Sequence, residues 1–376
     1  MRPGHARRPA AAPATLLTAD PRELVRAADD VSSPVLQVLL ERARAGSHPG
    51  ARSDDHVVCL AVEGGGMRAA VSAGMCVVLE AAGLVGAFDR IYGVSAGALN
   101  ASATAAGQAA LSATHYEDAA SRRVINPIRP LFRRPMIDFD FLFGDLIAAR
   151  KPLSFAALSC GPDFRALSTS LETLSLRVLR DFTDAEELMQ AVRASAALPV
   201  LGGDPPVFRG ERMADGGILE AIPYETALRE QATHVLVLRS RPPGHRKPPY
   251  NSLAERVTLR GEPELAELMR GREDAYNAQA TDLERMMEHS SDARVFQIAV
   301  PNHTPLIGRL ETSRSRVVDA LRLGAAAMAR AILVQPIDLC WQPVAYQTTR
   351  DGAPAPTRSA TPVRWRSTRR RAAAPR

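Results

Sequence analysis

From residue 56 onward, short apolar runs alternate with longer stretches of helical spacing. HVVCLAV (56–62), DRIYGVS (89–95), THVLVLRS (233–240) and RVFQIAV (294–300) have strand length, the pattern of strands buried on both faces. MRAAVSAGMCVVLEAAG (67–83), AGALNASATAAGQAAL (96–111) and residues 262–289 and 312–335 read as helices. Such alternation predicts parallel strands joined by crossover helices, an α/β fold. DFRALSTSLETLSLRVLRDF (163–182) instead alternates apolar and polar positions, which predicts two strands and a turn. Thr183–Asp184–Ala185–Glu186 has the form of a capping box opening the helix DAEELMQAVRASAAL, with Pro199 just past its end. FRGERMADGG (208–217) reads as a short strand pair closing in a glycine turn, and IPYETALRE as a helix.

Outside this pattern the chain is simpler. Residues 20–45 have helical spacing, with Pro34 expected to divide them into two short helices, and GSHPGARSDD is a linker. Residues 1–19 and the Pro/Ala/Arg stretch from 344 lack a core-forming pattern and are expected to be disordered. The expected organisation is an N-terminal extension (1–55), a catalytic core (56–240), a C-terminal α/β part packed on it (241–343) and a tail (344–376).

The chain has 376 residues, 46% of them hydrophobic, enough for one large domain or two smaller ones. Its net charge of +6 hints at a nucleic-acid partner until it is located. The head carries +3 from Arg2, Arg7 and Arg8, and the tail +7 from eight arginines against Asp351, which leaves residues 20–343 at −4. The basicity belongs to the ends, and no specific nucleic-acid partner is expected. Lys151 and Lys247 are the only lysines, so the arginine excess also reflects compositional bias. Four cysteines (Cys59, Cys76, Cys160, Cys340) are scattered without C-x-x-C or a histidine cluster, which argues against a disulfide scaffold or a zinc site. No metal and no cofactor are expected. AAAPATLLTA is too weak for a signal peptide, and no run approaches the ~18 apolar residues of a membrane span. The expected location is the cytoplasm, with peripheral, transient contact at a membrane surface.

The candidate chemistry starts at GVSAG (93–97). A serine nucleophile must be exposed, given a base, and placed near donors for the oxyanion that forms. G-x-S-x-G between an apolar strand and a small-residue helix puts Ser95 on a sharp turn, with Gly93 and Gly97 leaving room for strand and helix to approach. EGGGMR (63–68) is a second strand–loop–helix junction whose amides, from Gly64, Gly65, Gly66, Met67 and Arg68, can converge on an anion. It suits an oxyanion hole or a phosphate cradle. A dinucleotide fingerprint lacks its last glycine, because Ala69 stands there, and no Gly-Lys-Ser/Thr follows. For the base, a Ser-His-Asp triad would draw on His234, His245, His289 or His303, none of which sits in a motif. The other candidate is Asp215, at a strand end beside Gly216 and Gly217. Three readings stand at this level: a serine hydrolase using Asp215, an esterase using a late histidine, and a non-catalytic nucleotide or phosphate binder built on EGGGMR.

In order and spacing, EGGGMR, GVSAG and DGG, with RASAALPVL (193–201), resemble the patatin-like phospholipase family over residues 56–240. The resemblance implies a three-layer α/β sandwich with a mainly parallel central sheet flanked by helices. It implies a Ser95–Asp215 dyad in place of a triad, an oxyanion hole from the 64–68 loop, and Arg68 fixing that loop or countering negative charge. It also implies a phospholipid or other acyl-ester lipid as substrate, cleaved in the manner of a phospholipase A or lysophospholipase. Two positions depart from the family: Ala69 where a glycine commonly follows the arginine, and Ala221 where an asparagine often precedes the Ile-Pro step. Residues 120–160 interrupt the α/β pattern with Phe132, Phe139, Phe141 and Phe143 among five arginines. Two readings apply there: an interfacial lid, or an insertion whose aromatics complete the core.

Overall fold

The computed structural model describes residues 25–199, 201–249, 263–288 and 294–334, with residue 22 and the backbone of four short strands between 337 and 367. The expected disordered head, 1–19, lies outside the described residues. Within the expected tail, strands are described at Tyr346–Thr348, Pro354–Pro356 and Val363–Ser367, the last paired with Ile337–Trp341.

Residues 20–45 hold a short 3-10 helix (Ala28–Asp30) and helix α1 (Pro34–Arg44), with Pro34 at the division, where it opens α1; the Ser33 hydroxyl accepts the Leu36 amide. Proline fits there because its missing N–H lies among the amides a first turn leaves free. Next come β1 (Val58–Val62), α2 (Ala70–Ala81), β2 (Arg90–Val94), α3 (Ala96–Ala105), α4 (Ala109–Ala119) and α5 (Phe155–Ser159). The single helix expected over 96–111 is two, because Gly107 turns the chain at φ 63° between α3 and α4. β3 (Asp163–Ser170), β4 (Ser175–Leu179) and α6 (Ala185–Ala196) follow. The α6 cap lies one residue later than the expected box: Asp184 caps the Glu187 amide, and the Glu187 carboxylate returns to the Thr183 amide. The order then runs β5 (Val207–Phe208), β6 (Glu211–Asp215), α7 (Tyr224–Arg229), β7 (His234–Leu238), α8 (Pro263–Glu288), β8 (Val295–Ile298) and α9 (Arg314–Ile332).

The main sheet runs β5-β6-β3-β2-β1-β7-β8, with β4 also on β3. Its five central strands, β3-β2-β1-β7-β8, are parallel, while β4, β5 and β6 pair antiparallel. Alternate residues of one strand enter different cores, as a period of two requires. Val58, Leu60 and Val62 of β1 join the cluster holding α2, α3 and α9, whereas Cys59 and Ala61 join Tyr276, Ala280 and Leu283 of α8. Helices therefore cover both faces, giving the expected three-layer α/β architecture. Cys59 and Cys76 are buried, each thiol pushed by burial up to about 12, while Cys160 is exposed.

One feature of the sheet brings Ser95 and Asp215 together. β4 occupies one edge of β3 along 166–170; the opposite edge is divided between β2, opposite residues 163–167, and β6, opposite 168–170. Val94 ends β2 opposite Leu167, and Asp215 ends β6 opposite Ser168. Two strands running in opposite directions thus stop head to head at one point of β3.

In the 120–160 segment some aromatics complete the core and one does not. Phe139 and Phe143 are buried and meet edge to face at 5.6 Å, and Phe141 is partly buried under the Arg123 guanidinium at 4.4 Å. Phe132 is 73% exposed. Residues Asp140–Arg150 form a π-helix that carries Phe141 and Phe143.

Candidate active site

Ser95 follows the last residue of β2 and caps α3 at φ 57° and ψ −134°, a conformation costly for a residue with a side chain. Packing enforces it. A Cβ on Gly97 would stand 2.4 Å from the Val62 carbonyl oxygen, so α3 can leave this close to β1 only with glycine there. Gly93 is similarly pressed against Ala98 and Ala101 of α3. The Ser95 amide donates to the Ser195 hydroxyl (2.9 Å), which in turn donates to the Leu167 carbonyl (2.6 Å). Ser195 is fully buried near the end of α6 and ties the turn to β3.

The Ser95 Oγ lies 2.6 Å from Asp215 Oδ2 and donates to it. The other carboxylate oxygen accepts the Gly217 amide at 2.7 Å, fixing the rotamer. The Asp215 amide donates to Ala197, its carbonyl accepts from Thr169, and Gly216 packs on the Leu167 carbonyl. Burial lifts the carboxyl above its ordinary value, while the Ser95 hydroxyl, the Gly217 amide and the Lys247 and Arg272 charges pull it back. The result is a desolvated carboxylate aimed at a serine hydroxyl.

EGGGMR forms the neighbouring wall. Glu63 is buried and accepts from Arg239 Nε (3.1 Å) and the Ser240 amide (2.7 Å); Arg239 also reaches Gln297 and the Tyr276 hydroxyl. Burial pushes Glu63 up, but Arg239, Arg68 and the Ser240 amide outweigh it and hold the carboxyl below its ordinary value. The Ser240 hydroxyl binds the Gly64 carbonyl (2.7 Å), so the end of β7 holds the loop from beneath. Gly66, at φ 57°, passes within 2.6 Å of the Arg309 carbonyl measured from a notional Cβ. The Met67 amide donates to that carbonyl and the Arg68 amide to Gly65, so two of the five expected donors are already engaged. Among the described residues, the amides of Gly64, Gly65 and Gly66 have no acceptor. Ala69 is buried, and its carbonyl accepts from Asn100 and Ser72; Ala221 lies on the cavity wall.

Ser95, Asp215 and the glycine loop face one cavity of about 730 Å³. Ser95 also borders a smaller apolar cavity of about 100 Å³, lined by residues such as Leu99, Ile125, Phe139 and Phe143. The late histidines stand apart from this arrangement. His234 begins β7, opposite Val58, at the other end of the strands from Ser95, and packs on His56. His303 is an exposed loop residue, and His289 lies outside the described residues. His245 contacts the Arg241 guanidinium, and its imidazole is held down to about 4 by burial and by Arg241 and Arg68. Ser195, Arg239 and Ser240 were not among the expected site residues. Their sequence signals, a serine in an alanine helix and the last polar residues of a strand run, are too common to single out.

These features define a class: an α/β protein with a serine on a strained strand-to-helix elbow, a carboxylate against it and a glycine loop beside both. Residues 60–228, a little under half of the chain, match the family model for Patatin-like phospholipase. The chain is 28% identical over 199 residues to the uncharacterized protein YjjU of Escherichia coli, covering 49% of this chain and 52% of that protein. It is 30% identical over 168 residues to human patatin-like phospholipase domain-containing protein 2, covering 41% and 31%. The match thus spans about half the length of one relative and a third of the other. Among solved structures, VipD from Legionella pneumophila aligns over 74% of this chain and 67% of its own, at 13% identity and a TM-score of 0.36. Among the described residues, no helix is long and apolar enough to cross a membrane.

Proposed function

We propose that this protein is a serine acyl hydrolase of lipid esters that works through a Ser95–Asp215 dyad. The observation that carries this reading is the 2.6 Å hydrogen bond from the Ser95 hydroxyl to a buried carboxylate, made at a strained elbow on a cavity wall. As Ser95 Oγ attacks the ester carbonyl, its proton passes to Asp215 Oδ2. The carbonyl oxygen becomes an oxyanion, held by the free amides of Gly64–Gly66 and favoured by the positive end of α3. Collapse expels the alcohol, which takes the proton from Asp215. Water then attacks the acyl-Ser95 ester, giving its proton to Asp215, and the fatty acid leaves as Ser95 regains its hydrogen. An aspartate of ordinary acidity is a weak base; burial strengthens it by disfavouring its ionised form.

The apolar cavity beyond Ser95 suits the acyl chain, with Phe139 and Phe143 as walls. Contact with a lipid surface is assigned to the rim at 128–134, where Ile128, Leu131 and Phe132 are exposed among exposed Arg122, Arg123, Arg133 and Arg134. An esterase relying on a late histidine is disfavoured by the position of His234 and by His245 being held neutral at its guanidinium contact. The test is release of free fatty acid from a panel of phospholipids, lysophospholipids and acylglycerols. Wild type should release acid, and Ser95→Ala and Asp215→Asn should each lose at least about a thousandfold in rate. Unchanged turnover in either variant would refute the dyad.

A further inference from the structure

The larger cavity has a chemical asymmetry that ester hydrolysis does not require. Arg68, Arg241, Lys247, Arg272 and Arg309 all line it. Two lining acids have partners of their own, Glu63 in buried Arg239 and Glu273 Oε1 in Arg272 at 2.8 Å, although Glu273 Oε2 is buried without a hydrogen-bond partner and its charge reaches Lys247. Against three lining carboxylates, Glu63, Asp215 and Glu273, the cavity sets five cations. Among the described residues, no acidic side chain forms a salt bridge with Arg68, Arg241, Lys247 or Arg309. Arg68 Nε and Arg241 Nε are buried and have no hydrogen-bond partner, an arrangement that wastes strong donors unless something fills the cavity.

The crowding is electrostatically real. Burial, then the charges of Arg241 and Arg309, outweigh Glu63 and hold Arg68 down to about 10; burial, with Arg241 and Arg272, outweighs the pull of Glu273 and Glu63 and holds Lys247 down to about 8. Tyr276 offers partial relief, its ring lying 4.3 Å from Lys247 Nζ and 5.8 Å from the Arg241 guanidinium carbon. Lys247 is placed by its own backbone, which exchanges two hydrogen bonds with Asn277 of α8. Such a wall is prearranged for an anion of more than one charge, and guanidinium donors suit the geometry of a phosphate.

We propose that this wall is a phosphate subsite on the alcohol side of the scissile ester, so that the preferred substrates are acyl esters whose alcohol carries a phosphomonoester. The assignment rests on the reading of Ser95 as nucleophile. With the carbonyl at Ser95 and the acyl chain in the apolar cavity, the alcohol extends across the larger one toward Arg68, Arg241 and Lys247. A neutral glycerol there would leave the cations uncompensated, and a choline headgroup would add a positive charge beside them.

The experiment compares three soluble esters below their aggregation limits, so that no lipid surface intervenes: 1-octanoylglycerol 3-phosphate, 1-octanoylglycero-3-phosphocholine and 1-octanoylglycerol. The phosphomonoester should have the highest kcat/KM by at least about tenfold, a typical worth of one charged hydrogen bond. Arg241→Met and Lys247→Met should each reduce that preference about tenfold, mainly through KM, while Lys247→Arg retains it. Equal kcat/KM for the three esters, or a preference that survives both methionine variants, would overturn the proposal. A second arm titrates Ser95→Ala calorimetrically with glycerol 3-phosphate and with inorganic phosphate. Glycerol 3-phosphate should bind more tightly, and more weakly once Arg241→Met is added. Equal affinity for inorganic phosphate would assign the wall to the free anion and overturn its place in substrate choice; no binding of either would remove the site. Binding of glycerol 3-phosphate without turnover of any ester would sink the hydrolase reading while leaving the phosphate site standing.

Discussion

Replacing Ser195 by alanine removes one oxygen atom from a residue that touches neither cavity. Yet that oxygen accepts the Ser95 amide and donates to the Leu167 carbonyl, at the point where β2 and β6 meet on β3. Ser195 is fully buried, so water cannot readily substitute. Two backbone groups are orphaned, and leaving a buried group unsatisfied costs about 1–3 kcal/mol. The strain stored at Ser95, where φ is 57°, is itself of order 1–3 kcal/mol, and the hydrogen bond to Ser195 is one of the contacts that resist its release. Ser195→Ala should therefore lower unfolding free energy by about 2 kcal/mol at least. It should also reduce kcat by about 10–100-fold with little change in KM, because the nucleophile loses its aim while the cavities keep their walls. Urea unfolding followed by circular dichroism reads the first effect, and steady-state kinetics on a short-chain ester the second. A variant as stable and as fast as wild type would refute the argument, placing the restraint on Ser95 wholly in the glycine contacts of β2 and α3. Loss of stability with kcat intact would reduce Ser195 to a structural residue.

Three further outcomes follow from charge and exposure. The Asp215 carboxyl is raised in the folded protein, so the native state holds its proton more tightly than the unfolded chain does, and the group costs stability as pH rises through and beyond its folded pKa. Asp215→Asn should be inactive yet melt higher than wild type at pH 7, the advantage vanishing below about pH 4; a lower melting temperature at pH 7 would contradict this. Lys247, held down to about 8, faces Glu273, Arg272 and Tyr276 of α8, Arg241 of its own loop, and Glu63 and Asp215 across the cavity. It loses its charge above that pH while a phosphomonoester stays dianionic, so KM for the phosphate ester should rise between about pH 7.5 and 9, and a flat KM would exclude Lys247 from binding. Leu131→Asp with Phe132→Asp should weaken cosedimentation with anionic phospholipid vesicles by about tenfold or more, since each exposed side chain is worth up to about 1.5–3 kcal/mol when buried in lipid; equal sedimentation would remove this rim from the membrane account.

The chain's periodicity reveals its layers because a strand buried on both faces must be apolar throughout, and β1, β2, β7 and β8 all lie within their expected runs. Ser95, Asp215 and the glycine loop were legible because each sits where a strand ends, and short motifs mark such junctions. Their meeting was legible only through the family resemblance, not from the residues themselves. It depends on β6 pairing with the far half of a β3 edge whose near half belongs to β2, a long-range register with no local signature. The break at Gly107 was hidden by the helix-forming residues on both sides. Ser195 looked like one more small residue in an alanine-rich helix, although its hydroxyl ties two other segments to α6. Arg241 and Lys247 stood in RPPGHRKPPY, which reads as a solvated loop until α8 is seen to hold it against the cavity. Which phenylalanines of the Phe132–Phe143 stretch are buried was not legible either, since apolar spacing does not distinguish the π-helix that carries Phe143 from a loop-rich insertion.

The measurement that reaches the central claim most directly is intact-mass analysis after treatment with an alkyl fluorophosphonate, followed by peptide mapping and timed against Asp215→Asn. A serine made nucleophilic by a buried carboxylate should take up one phosphonyl group, mapped to Ser95, with labelling at least about a hundredfold slower in Asp215→Asn and absent in Ser95→Ala. An adduct on another residue, or equal labelling rates with and without the Asp215 carboxylate, would contradict the account.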